Sequence, residues 1–391
     1  MSVTKAVIAG IGETPLLPHG SGRSGDHMTI QAALAACADA GIDPAEVDGI
    51  VKYTYDGSIS TMALAATIGA REMNAFVEVP SGGGSSAALV DVARALVLSG
   101  KARVVLCYRT LLGKEWLKQM TQPDPARPYY LDSVNYLRSS GWTGYLHMFA
   151  ALYAENAARH PSMNREVLFA SANLIRENAA KNPESLFKDQ LTRAEYFDPA
   201  ARTVGPFTRF DEYASSDLSC AVVVTEAGHT DTPNREVEIV ASAQSHGPDP
   251  KTWFDLRPTS SSYPQSPSSH VAAKLYAEAG IGPEQIDVAA LYDCTSFTYL
   301  DLIEAFGLCA PGEVAGLVAD RALLADGAMP VNPHGGDLTC GYSAGFRHVL
   351  EAVRQLRGEA SNQTRDPEHA LVSAPQIGPT SGAILRRSDV S

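Results

Sequence analysis

The run Asn332-Pro-His-Gly-Gly-Asp-Leu-Thr-Cys-Gly-Tyr-Ser-Ala-Gly-Phe346 carries most of what this chain says about its fold and its chemistry. A short apolar entry with turn residues, Asp326-Gly-Ala-Met-Pro-Val331, precedes it. It leads into Phe346, Val349, Leu350, Val353 and Leu356, spaced as one face of a helix. The pattern predicts a glycine-rich loop opening onto a helix, with Tyr342 in its first turn. Gly335, Gly336, Gly341 and Gly345 let the backbone come close to whatever is bound. Strand, glycine loop and helix in that order usually suggest a phosphate cradle. Here the spacing is not GxGxxG and no GK[ST] element follows, which argues against a nucleotide.

The same architecture occurs earlier, in Pro80-Ser-Gly-Gly-Gly-Ser-Ser-Ala-Ala-Leu-Val90, which opens a helix closed by Gly100. Placing Gly84 on Gly341 aligns Ser86-Ala87 with Ser343-Ala344. A second match joins Ala40-Gly-Ile-Asp-Pro-Ala-Glu-Val-Asp48 to Ala279-Gly-Ile-Gly-Pro-Glu-Gln-Ile-Asp287. Each reads as a glycine-capped helix end, a turn with a short helical start, then a strand. Two matching units in the same order indicate a duplicated β/α half, each supplying a glycine-loop helix to a shared centre. Strands alternating with helices favour mainly parallel connections.

At 391 residues the chain exceeds one ordinary core. Apolar content of 45% and charged content of 19% are those of a soluble globular enzyme. A formal charge of −13 argues against nucleic acid or an anionic membrane surface as the main partner. No apolar run reaches membrane-span length, and the N-terminus leads straight into a strand, so neither a span nor a signal peptide is expected. The six cysteines form no CxxC pair and no metal-ligand spacing, which predicts a reduced, cytoplasmic protein without a metal site.

In chain order, strands are expected over 5–12, 47–54, 75–79, 102–108 and 219–225, and helices over 27–40 and 62–69. Between 109 and 209 aromatics and prolines cluster and helices follow (145–159, 165–178), too long for a connecting loop. This segment reads as an inserted subdomain, with Tyr129, Tyr130, Tyr136, Trp142 and Tyr145 suited to the wall or lid of a hydrophobic ligand site. A small self-packed core explains each of those residues equally well. The organisation is then a first half (1–108 and 210–235), an insertion (109–209) and a second half (236–391).

This duplicated pattern resembles the thiolase superfamily over essentially the whole chain. The run from Asn332 is similar to the family's N-x-x-G-G-x-x-x-x-G-H-P-x-G. Leu291-Tyr-Asp-Cys-Thr-Ser-Phe297 is similar to the segment reading H-D-C-F in the sterol-carrier-type branch and N-E-A-F in ordinary thiolases. Val77 to Ala88 resembles the nucleophile loop N-x-x-C-x-x-G-x-x-A, and Val372 to Ala383 lies where the family has its last active-site loop. The resemblance implies duplicated βαβαβαββ halves in five layers, αβαβα, and a homodimer formed largely through the first half.

The departures narrow the chemistry. Ser81 stands where the nucleophilic cysteine would be, Tyr342 where the histidine of G-H-P would be, and 373–378 contains no cysteine. A serine with no neighbouring base is a poor nucleophile. A tyrosine for G-H-P histidine and Y-D for H-D resemble the steroid side-chain-cleaving aldolases of the same superfamily. The implied reaction is retro-aldol cleavage of a β-hydroxyacyl-CoA with a tertiary 17-hydroxyl, giving a 17-keto steroid and a short acyl-CoA such as propionyl-CoA. No cofactor is implied beyond the coenzyme A of the substrate.

The expected catalytic residues are Tyr292, Tyr342 and His334, the histidine either lowering a phenol's pKa, binding the thioester oxygen or holding a structural hydrogen bond. Ser81 and the backbone of Gly83, Gly84 and Gly378 are expected around the substrate and its oxyanion. Asp293 reads as a structural loop hydrogen-bonder. The resemblance implies a small OB-fold, zinc-ribbon acyl-CoA-associated partner, completing a heterotetramer. Two alternatives stay open: a divergent thiolase using Cys294 or Cys340, and a non-catalytic acyl-CoA-binding subunit.

Overall fold

The computed structural model describes residues 4–54, 58–79, 85–113, 145–246, 266–374 and 379–388. Its principal elements begin with β1 (Ala6–Glu13), α1 (Gly25–Ala40), β2 (Gly49–Tyr53), α2 (Thr61–Ile68), β3 (Ala75–Val79), α3 (Ser85–Leu98) and β4 (Val104–Leu112). Next come α4 (Tyr145–Arg159), α5 (Arg165–Ala180), β5 (Ser216–Glu226), β6 (Val237–Ser245), α6 (Pro267–Ala279), β7 (Val288–Leu291) and α7 (Thr298–Ala305). The chain ends on α8 (Gly336–Cys340), α9 (Phe346–Arg357), β8 (His369–Ser373) and β9 (Thr380–Arg387).

The repeat is built from matching local chemistry. Ser24 caps the start of α1 and Ser266 the start of α6, each side chain accepting a backbone N–H of the first turn. Gly41 and Gly280 end the same helices at φ 68° and 69°, a left-handed conformation that glycine adopts without a Cβ penalty. A 3₁₀ turn opening on Pro44 or Pro283 follows each, then β2 or β7.

The strand order β3-β2-β4-β5-β1-β6-β9-β8-β7 shows the duplication directly. The halves meet where β1 pairs antiparallel with β6. Outward from that join, the first half runs through its first, fifth, fourth, second and third strands. The second half runs first, fifth, fourth and second, and Val331 bridges parallel to Ala289 where its third strand belongs.

Three cores separate five layers. Alanines of α1, with Leu64 of α2, pack on one face of the first half's strands. Helices α4, α5 and α7 cover the second half through Phe149, Leu168, Tyr299 and Phe306. Between the two sets of strands lie α3 and α9, burying Leu89, Val90, Phe346, Val349 and Val353 against strand residues of both halves. This is the αβαβα arrangement, with the two glycine-loop helices at its centre.

Two details differ from the sequence reading. Tyr342 does not lie in a helix: α9 begins at Phe346, because Gly341 and Gly345 both take positive φ and break the chain between α8 and α9. In addition, β4 continues through Leu112, so Arg109 belongs to a buried strand.

Candidate active site

Two loops converge on one pair of phenols. The first leaves β7 at Leu291; the second runs from Asn332 to Gly345. Asn332, at φ 47°, uses its amide as a strand substitute, donating to the Leu291 carbonyl and accepting from its N–H, both at 2.8 Å. This ties the second loop to the first one residue before Tyr292. The hydroxyls of Tyr292 and Tyr342 then lie 2.9 Å apart in a buried hydrogen bond, their rings edge to face at 6.4 Å.

The stretch leading into β5 clamps both loops. The Tyr213 N–H donates to the Cys294 carbonyl, the Ala214 N–H to Asp337, and the Tyr342 N–H to Ala214. The Tyr213 ring stacks on Tyr342 at 4.0 Å between centroids. Gly345 is required by close approach as well as by φ. A Cβ there would lie 3.0 Å from the Tyr292 ring and 3.1 Å from the Ser86 hydroxyl. The first turn of α3 and the entry of α9 thus close on Tyr292 together.

Immediately behind the phenols is a charged node. Asp293 accepts the N–H groups of Asp337 and Leu338 and pairs with His348 at 3.0 Å. Asp337 accepts from the Ser343 N–H and hydroxyl and from the Gly345 N–H, holding the α9 entry. A Cβ at Gly336 would come within 1.9 Å of the Asp293 carboxylate, so glycine is needed for that approach. Asp293, Asp337 and His348 bring their ligand-type atoms within 4.8 Å of one another. Backbone donors already occupy both carboxylates, which makes the cluster a hydrogen-bond node. The expectation for Asp293 holds.

His334 sits on the far side of that node. It is buried, its ring stands edge-on to His348 at 5.1 Å, and its carbonyl accepts from Cys340 and Asn182. Burial and the neighbouring His348 push its pKa well below the ordinary value, so the ring is neutral.

Burial pushes both phenols well above the usual tyrosine pKa. It raises the Cys294 and Cys340 thiols too. Neither thiol is poised as a thiolate. Among the described residues the arrangement can exchange a proton between two buried hydroxyls and offers no activated nucleophile.

Ser81, Gly83, Gly84 and Gly378 lie outside the described residues, as do Tyr129, Tyr130, Tyr136 and Trp142. Tyr292 and Tyr342 are brought together. Tyr213, His348 and Asp337 were not singled out from sequence. Asp337 had a signal, lying between the paired glycines and the tyrosine; Tyr213 had none, because its role comes from a strand lead-in over 70 residues away in the chain.

Comparison with known proteins agrees with this geometry. Residues 259–382 match the thiolase C-terminal domain-like family. Over 387 residues the chain is 33% identical to a 17-hydroxy-3-oxo-4-pregnene-20-carboxyl-CoA lyase of Mycobacterium tuberculosis, covering 97% of this chain and 99% of the relative. It is 34% identical over 392 residues to a steroid side-chain-cleaving aldolase of Thermomonospora curvata, covering 97% of each. Among solved structures, an Ltp2-ChsH2(DUF35) aldolase superposes with a TM-score of 0.87 at 32% identity, over 98% of each chain. An acetyl-CoA acetyltransferase from Syntrophomonas wolfei superposes with a TM-score of 0.70 at 17% identity, over 99% of this chain and all of the other, which shows the shared fold alone.

Proposed function

Because the chain belongs to the steroid side-chain-cleaving aldolases of the thiolase superfamily, we propose that it cleaves a steroid side-chain β-hydroxyacyl-CoA by retro-aldol chemistry. It is a carbon–carbon lyase acting on an acyl-CoA. A tertiary 17-hydroxyl becomes a 17-ketone, and a short acyl-CoA such as propionyl-CoA leaves. The observation that carries this reading is the buried 2.9 Å contact between Tyr292 and Tyr342, on the two loops that hold the family's catalytic groups.

The reaction needs a group to take the β-hydroxyl proton, stabilisation of the enolate at the thioester oxygen, and a group to protonate the α-carbon. It needs no acyl-enzyme, so a site without an activated thiol suffices. One tyrosine takes the first proton and the other delivers the second; His334 acts from behind the charged node. The backbone amides of Gly83, Gly84 and Gly378, with Ser81, receive the thioester oxygen. Coenzyme A enters only as part of the substrate.

A homodimer is supported by β3, which lies at the edge of the sheet and leaves Phe76 57% exposed. An unpaired edge with apolar side chains is a site for pairing with a second chain. The solved aldolase named with a DUF35 component supports an OB-fold, zinc-ribbon acyl-CoA-associated partner and a heterotetramer. The cytoplasm suits six free cysteines, and no helix among the described residues is long and apolar enough to cross a membrane.

Mass-spectrometric identification of acyl-CoA products from a panel of steroid-CoA substrates tests the reaction. Release of a short acyl-CoA and a ring ketone is expected without added coenzyme A. Cleavage of β-ketoacyl-CoA requiring free coenzyme A would overturn it.

A further inference from the structure

Among the described residues, the buried Arg109 guanidinium makes no hydrogen bond or ion pair. Along β4 the side chains alternate, so Cys107, Arg109 and Leu111 share a face. Cys107 packs in the central core with α3, and Leu111 joins the core that contains Tyr292 and Tyr342. Arg109 therefore stands at the junction of the two cores, near the carboxyl end of its strand. It is 2% exposed, and its guanidinium lies over the Tyr53 ring at 4.0 Å. Among the described residues none of its three side-chain nitrogens has a hydrogen-bond partner.

Buried arginines are ordinarily paired. Arg347 illustrates this one layer away, with Glu13, Glu184 and the Cys340 carbonyl around it. Among the described residues the Arg109 guanidinium has no such counter-ion, and a buried guanidinium is a strong partner for an anion.

We propose that Arg109 is a positioning residue of the reaction, whose charge draws the anionic form of the tyrosine pair onto Tyr342. The chemistry rests on the retro-aldol reading; the ionisation does not. With Arg109 as its counter-charge, the Tyr342 phenolate accepts the β-hydroxyl proton. The oxygen's electron pair forms the ketone as the Cα–Cβ bond breaks, and that bond's pair passes to the thioester as the enolate. Tyr292 protonates Cα. The proton held by Tyr342 then crosses the 2.9 Å bond to Tyr292, restoring the pair with no co-reactant.

The surrounding groups support the asymmetry. Burial raises both phenols, but Tyr342 faces Arg109, which opposes that rise, besides Tyr213, Cys294 and Tyr292. Tyr292 faces Cys294, Tyr342 and Asp337, all of which raise it further. Asp293, His348, His334 and Arg347 stand behind, in the charged node and around α9.

The test is a tyrosinate absorbance titration of the substrate-free protein, with the Tyr342→Phe spectrum subtracted to isolate Tyr342. In Arg109→Met the Tyr342 midpoint is expected to rise by about one pH unit or more, and Arg109→Lys to recover most of that shift. The acid limb of kcat/KM should move upward in parallel, at about tenfold lost per unit. The Met variant should melt no lower than wild type, since an unpaired buried charge gives way to apolar volume. An unmoved midpoint in a cooperatively melting Met variant overturns the proposal; if that variant does not fold, Arg109→Gln is read by the same criterion. A wild type that cleaves no substrate would sink the reaction reading, and the titration would still decide the role of Arg109.

Discussion

Tyr292 and Asp293 are adjacent in the chain and belong to opposite regimes. Tyr292 faces a buried contact in which two phenols hold each other at 2.9 Å. Asp293 faces inward to a node where carboxylates meet an imidazole and backbone N–H groups. The same two loops build both regions. The difference separates tasks: the charged side sets loop geometry through the bonds of its carboxylates to backbone N–H groups, and the phenol side lets a proton pass between two hydroxyls. A site that must donate and accept within one cycle needs that exchange.

The sharpest way to break the comparison is to remove a hydroxyl. Tyr342→Phe or Tyr292→Phe should lower short acyl-CoA release by about 10³-fold, within the range for losing a proton-transfer group, with the fold intact by circular dichroism. Full activity in both variants would end the account. Either single change also removes the buried hydrogen bond between the two hydroxyls, at a cost of about 1–3 kcal/mol, and the double variant should cost less than the sum of the two.

On the charged side the readout is stability. Asp293→Ala leaves His348 and two backbone donors without their acceptor, and about 3–5 kcal/mol should be lost in denaturant melts. If activity fell while the melt stayed in place, the division between the two regions would be wrong.

Acid pH probes the outer edge of the same scaffold. Burial alone would raise the Glu13 pKa, but Arg347 and Arg354 hold it below the ordinary carboxylate value. Its contribution is therefore complete above the unfolded pKa, near ~4.3. It is lost as pH falls through the lowered folded value. Glu13→Gln should flatten that part of the stability–pH curve. A curve identical to wild type would remove Glu13 from the scaffold.

The smallest effect belongs to the thiol. Cys340→Ala should cost about 1 kcal/mol for the hydrogen bond to the His334 carbonyl and leave turnover within about twofold. Loss of turnover on this change would revive sulfur chemistry.

Local chemistry made much of this legible in advance. Gly41 and Gly280 announced matching helix ends, Phe346 to Leu356 a buried helix face, and the motif around Tyr342 its relation to Tyr292. Such features depend on φ preference and periodicity, which neighbouring residues express. Tyr213 stacking on Tyr342, His348 pairing with Asp293 and Arg109 left bare beside Tyr53 gave no such signal, because each depends on partners brought together by strand pairing.

The amino-acid sequence alone determined the duplicated thiolase-type architecture, a serine at position 81 where the family has its nucleophilic cysteine, and a tyrosine at position 342 where it has a histidine. Only the tertiary structure decided that Tyr292 and Tyr342 touch, that His334 packs against His348, and that Arg109 is buried with no hydrogen-bond partner among the described residues. The reason is physical: backbone preference and apolar spacing are written residue by residue, whereas charge, desolvation and hydrogen-bond partnership exist only between segments once they are packed.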